Sequence, residues 1–78
     1  MEPGVQRASV VSGWIQVNGT PRALGPGASV KIVVDEVAAM PRGVAVALNG
    51  EVVPRGAWAE TVLRDGDRVE ILSVAPGG

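Results

Sequence analysis

Trp14-Ile15-Gln16-Val17-Asn18-Gly19-Thr20-Pro21-Arg22-Ala23-Leu24, followed after Gly25-Pro26-Gly27 by Ser29-Val30-Lys31-Ile32-Val33-Val34-Asp35-Glu36-Val37, is the stretch that decides the fold. Ile15 and Val17 share one face of an extended segment, because side chains alternate along a strand. Asn18-Gly19 then predicts a two-residue hairpin turn, which needs positive φ at both central positions. The returning strand runs from Thr20 to Leu24. Pro21 has no N–H to give to a ladder, so this strand belongs at a sheet edge. Ser29 stands where a helix N-cap belongs, and Val30, Val33, Val34 and Val37 form the i, i+3, i+4, i+7 stripe of an amphipathic helix. Val30, Ile32 and Val34 also alternate as a strand would. Asp-Glu-Val-Ala-Ala-Met at 35–40 favours the helix, for about three turns ending before Pro41.

Beyond the helix, Arg42-Gly43 reads as a loop and Val44-Ala45-Val46-Ala47-Leu48 as a buried strand. A second Asn-Gly, Asn49-Gly50, turns the chain into a short strand from Glu51 to Val53 that Pro54 ends. Trp58, Val62 and Leu63 have offsets that suit a short helix or 3₁₀ turn, and Gly56 reads as a loop residue. Asp65-Gly66-Asp67 makes the last tight turn before a strand from Val69 to Val74. Two hairpins with a helix between them and a final strand beside the first would place the helix on one sheet face. This is an α+β, β-grasp arrangement: a mixed sheet of four to five strands with one main helix. Residues 1–13 read as a flexible N-terminal extension, 14–74 as the domain and 75–78 as a flexible tail.

Composition narrows the chemistry. The 78 residues suffice for one small domain, which buries only about 60–65% of its unfolded surface. Hydrophobic residues make up 46%, and with 15 valines and no Phe or Tyr the core must be largely aliphatic. A net charge of −1 argues against nucleic acid, whose binding needs clustered Lys and Arg. No stretch approaches a membrane span. The absence of Cys excludes disulfides and thiol chemistry, and nothing suggests secretion, so a cytoplasmic location is expected. Without His, Ser9, Ser12, Ser29, Ser73 and Lys31 lack an activating partner, which weighs against an enzyme. Asp65 and Asp67 fall short of the six to eight oxygens calcium needs and read as a polar turn, so no metal is expected. Trp58 reads as a core or rim anchor, and Arg55 as a solvated or turn-bonding residue.

Alternation in the last strand carries a further expectation. If Val69 and Ile71 face the helix, Leu72 and Val74 face away, beside Ala45 and Ala47. That apolar sheet face has nothing in the chain to cover it and reads as a partner-binding surface.

The clearest chemical feature is Ala75-Pro76-Gly77-Gly78. With 11 glycines in the chain, a terminal Gly-Gly arises in only about 2% of shuffled sequences. Its two terminal glycines lack Cβ atoms, so the tail can thread a narrow channel and present its carboxylate, an anion at pH 7, to a buried site. Residues 48–78, with Asn49-Gly50-Glu51, Val53-Pro54-Arg55, Trp58, Asp65-Gly66-Asp67 and Gly77-Gly78 in register, closely resemble the ThiS sulfur carrier family of thiamin biosynthesis. Ile15-Gln16-Val17-Asn18-Gly19 matches the family's opening strand and turn, so the resemblance covers 14–78. It departs from the family in the extension of 1–13 and in the stiff Gly25-Pro26-Gly27.

The resemblance implies a ubiquitin-like β-grasp and a non-catalytic carrier that binds no cofactor itself. It implies that the Gly78 carboxylate is adenylated, with ATP, by an E1-like adenylyltransferase (ThiF-type) and becomes a thiocarboxylate. Gly77, Pro76 and Ala75 would thread the partner's channel. A sulfur donor protein would supply the sulfur, and thiazole synthase (ThiG-type) would receive it. The small subunit of molybdopterin synthase, another sulfur carrier, a ubiquitin-like modifier and a purely structural β-grasp domain are the competing readings.

Overall fold

The computed structural model describes residues 11–38 and 41–73. Residues 1–10, Ala39, Met40 and the tail from Val74 to Gly78 lie outside the described residues. Strands β1 (Gly13–Val17) and β2 (Thr20–Leu24) form the first hairpin, and helix α1 (Val30–Val37) follows. A 3₁₀ turn at Pro41–Gly43 leads into β3 (Val44–Leu48) and β4 (Glu51–Val53). A second 3₁₀ segment, Arg55–Glu60, precedes β5 (Arg68–Ser73). The five strands make one mixed sheet of order β2-β1-β5-β3-β4. β5 lies parallel to β1 and antiparallel to β3, which is the β-grasp arrangement.

Both Asn-Gly turns form with left-handed backbone, φ 52° and 84° at Asn18-Gly19 and 51° and 88° at Asn49-Gly50. Asn tolerates that region and Gly prefers it, so the dipeptide sets the hairpin register. β2 takes the sheet edge, in keeping with Pro21. β1 begins at Gly13, one residue before the expected domain boundary, and Ser12 N donates to Leu24 O at 2.7 Å. Gly13 is required there by close approach, because a Cβ on it would lie 2.6 Å from the Asp65 side chain.

Ser29 caps α1, its Oγ accepting from Ile32 N at 3.3 Å. The next orphan donor, Val30 N, finds Thr61 O at 2.9 Å, and Leu63 N donates to Ala28 O at 2.9 Å. These bonds bridge the segment after the second 3₁₀ turn to the start of the helix.

The helix is shorter than the sequence suggests. It spans eight residues, and Ala38 is already extended with its N–H on Val34 O. Five of those eight are β-branched, which propagate a helix weakly once no packing rewards another turn. Val37, the fourth member of the stripe, is consequently 39% exposed.

The core lies between α1 and the sheet. Val30, Val33 and Val34 meet Ile15 and Val17 of β1, Leu24 of β2, Val46 of β3, and Val69 and Ile71 of β5. Trp58 closes one end, 4% exposed, with its Nε1–H donating to Val53 O at 2.9 Å. A buried indole needs such an acceptor. Arg55, expected as a solvated or turn-bonding residue, lays its guanidinium 4.5 Å from the Trp58 ring centroid and covers the exposed side of the anchor. Among the described residues, no helix is long and apolar enough to cross a membrane.

Candidate functional site

β5 is the strand that leads to the tail, and its position follows from the bonds that hold it. Five residue pairs join it to β3, from Leu48 opposite Val69 to Val44 opposite Ser73. Only two join it to β1, Gln16 with Arg68 and Val17 with Val69, because β1 turns away at Asn18-Gly19.

The two turn asparagines then act on β5 directly. Asn49 holds its beginning: Asn49 N donates to Arg68 O at 2.8 Å, and Arg68 N donates to Asn49 Oδ1 at 2.9 Å. Asn18 holds it further on, with Ile71 N donating to Asn18 Oδ1 at 2.8 Å and Asn18 Nδ2 donating to Ile71 O at 3.2 Å.

Asp65 and Asp67 form the polar turn before β5. Asp65 Oδ1 accepts from Trp14 N at 2.8 Å, and Asp67 accepts from Arg64 N at 2.8 Å and Asn49 Nδ2 at 3.0 Å. Their oxygens are thus committed to the scaffold, and among the described residues no group of acidic side chains could hold a metal.

The sheet face opposite α1 is open. Leu72 is 65% exposed and sits opposite the half-buried Ala45, while Ala47 sits opposite Glu70. The structure therefore brings together Leu72, Ala45 and Ala47 as the sequence suggests. Val74 falls outside the described residues, as do Ala75, Pro76, Gly77 and Gly78.

Sequence reading missed two members of this face. Val52, paired with Ala47 on its other side, is 76% exposed, and Trp14 is 57% exposed. Their signal was present in the alternation: Trp14 is out of phase with Ile15, and Val52 with Val53. Three large apolar side chains standing in solvent on one sheet face suit a protein partner.

Small-molecule chemistry fits poorly. Two depressions among the described residues enclose about 150 and 160 Å³, one between β2 and α1, the other beside Trp14 and Pro21. Both are well below the roughly 300–1,000 Å³ of ordinary ligand pockets.

Comparison with known proteins establishes the family. The ThiS family profile matches residues 15–78. The sulfur carrier protein ThiS of Thermus thermophilus is 39% identical over 64 residues, which cover 82% of this chain and 98% of that protein. Its Escherichia coli counterpart is 33% identical over 52 residues, covering 67% and 79%. The crystal structure of the thiamine biosynthesis protein ThiS from Geobacter metallireducens matches with a TM-score of 0.72 at 35% identity, over 83% of this chain and 99% of that one. A thiazole synthase of Paramagnetospirillum magneticum is 34% identical over 62 residues; these are 80% of this chain and 19% of the synthase, so the chain spans about a fifth of that relative's length. With the family profile matching residues 15–78 and a ThiS crystal structure matching the fold, the chain belongs to the ThiS family.

Proposed function

We propose that the chain is a sulfur carrier of thiamine biosynthesis whose working group is the C-terminal carboxylate of Gly78. The observation that carries this is the family match running through Gly77-Gly78. A carboxylate is an anion at pH 7 and a poor electrophile. An E1-like adenylyltransferase activates it: a carboxylate oxygen attacks the α-phosphorus of ATP, pyrophosphate leaves, and an acyl-adenylate results. A sulfide equivalent from a sulfur donor protein then displaces AMP and leaves the thiocarboxylate. ATP belongs to the activating enzyme, and the cytosol is the compartment that supplies it.

The carrier itself contributes recognition and reach but no catalysis. Leu72, Val74, Ala45 and Ala47, joined by Val52 and Trp14, dock the partner. Ala75-Pro76-Gly77-Gly78 enters its channel, where side-chain-free glycines meet no steric barrier. Thiazole synthase is the acceptor. Support for that partner comes from the thiazole synthase that carries a segment similar to this chain, since joining carrier and acceptor raises their effective concentration.

Intact-mass measurement after incubation with ATP, an E1-like adenylyltransferase and a sulfur source tests the proposal. The expected product is the free chain with one carboxylate oxygen replaced by sulfur. Higher-mass conjugates to other proteins would instead identify a modifier, and an unchanged mass would overturn the carrier reading.

A further inference from the structure

Asn18 and Ile71 are 53 residues apart in sequence, yet the Asn18 side chain satisfies both backbone groups of Ile71. The parallel β1–β5 ladder has two residue pairs, and β1 departs just where Ile71 would need another. Asn18 N still reaches Val69 O at 2.9 Å, so the turn residue contributes its backbone to one rung and its side-chain amide to the next. A carboxamide has the same donor and acceptor as a peptide group, which makes it a fitting surrogate. Past Ile71, among the described residues, only β3 pairs with the strand, through Leu72 and Ser73.

We infer that Asn18 is a positioning residue for the tail, its amide acting as the last rung on the β1 side of β5 and so fixing where strand ends and tail begins. The consequence for carrier chemistry rests on the sulfur-carrier reading above. Five residues follow Ser73, and fully extended they reach roughly 17–18 Å. If β5 loosens from Ile71 onward, residues 71–73 join the segment that must be ordered inside the partner's channel. Each loose residue adds backbone entropy that is lost on threading, and the carboxylate spends less time in line with the α-phosphate. Docking is affected less, because Ala45, Ala47 and Val52 stay on the β3–β4 hairpin and keep most of the open face in place.

Asn18→Gly and Asn49→Gly make a matched pair. Both residues have φ near 50°, which Gly accepts, so each turn survives while its side-chain bonds to β5 are lost. Amide hydrogen exchange followed by NMR reads the structural half in the isolated full chain. Exchange at Ile71 to Ser73 should accelerate at least tenfold in Asn18→Gly and stay as in the parent chain in Asn49→Gly. Equal protection of Ile71 in both variants would overturn the inference, whatever the chain's function.

Adenylate formation by an E1-like adenylyltransferase reads the functional half. Asn18→Gly should lower kcat about tenfold with KM for the carrier nearly unchanged, while Asn49→Gly leaves both near the parent values. A change in KM alone, or equal kcat in the two variants, would overturn the positioning role. A parent chain that is never adenylated would instead defeat the carrier reading and leave the exchange result to decide the inference about β5.

Discussion

The two faces of the one sheet are built from the same strands but meet opposite surroundings. Toward the helix, Ile15, Val17, Val46, Val69 and Ile71 are each no more than 9% exposed. Toward solvent, one residue out of phase on β1, β4 and β5, Trp14, Val52 and Leu72 are each more than half exposed. An apolar side chain contributes to folding only where something covers it. The first face therefore accounts for stability, and the second is the surface proposed above for recognition. Mutations should separate the two properties cleanly.

The largest expected effect is on the buried side. Trp58→Ala removes the largest core side chain and the Val53 bond, and should cost about 3–5 kcal/mol in urea unfolding. For so small a domain that approaches the whole of its stability. A loss under about 1 kcal/mol would mean that the core does not depend on this anchor.

Ser29→Ala comes next. It deletes the helix cap but leaves Val30 N on Thr61 O, so about 1 kcal/mol should be lost in the same measurement.

Leu72→Glu should have the smallest effect on stability, within about 0.5 kcal/mol of the parent. Calorimetry should nevertheless record weaker binding to the activating enzyme. Unchanged affinity would remove the open face from the docking surface and break the contrast between the two sides.

Much of this was legible in the sequence because it depends on local chemistry. Asn-Gly dictates its own turn, Pro21 its own edge, and alternation in β5 distinguishes Ile71 from Leu72. Features that depend on distant neighbours were not legible. The helix length escaped because Asp35 to Met40 favour a third turn in isolation, whereas the chain is extended again at Ala38. Alternation sets Trp14 and Val52 out of phase with their buried neighbours, but only the strand order shows that they share a face with Leu72. No local signal indicates that Asn18 and Asn49, each sufficient as a turn residue, would also bind β5, or that Gly13 must admit Asp65. As for the site, Gly77-Gly78 and part of the proposed docking face were visible, but the side-chain hydrogen bonds that hold β5 were not.

In the proposed carrier all reactivity resides in the terminal carboxylate, while the domain supplies only recognition. ATP–pyrophosphate exchange by an E1-like adenylyltransferase, with the full chain and with a chain lacking Gly78, tests this most directly. Robust exchange is expected with the full chain and none with the truncated one, although both bind the enzyme and unfold at the same temperature. Exchange that survives the loss of Gly78 would contradict it.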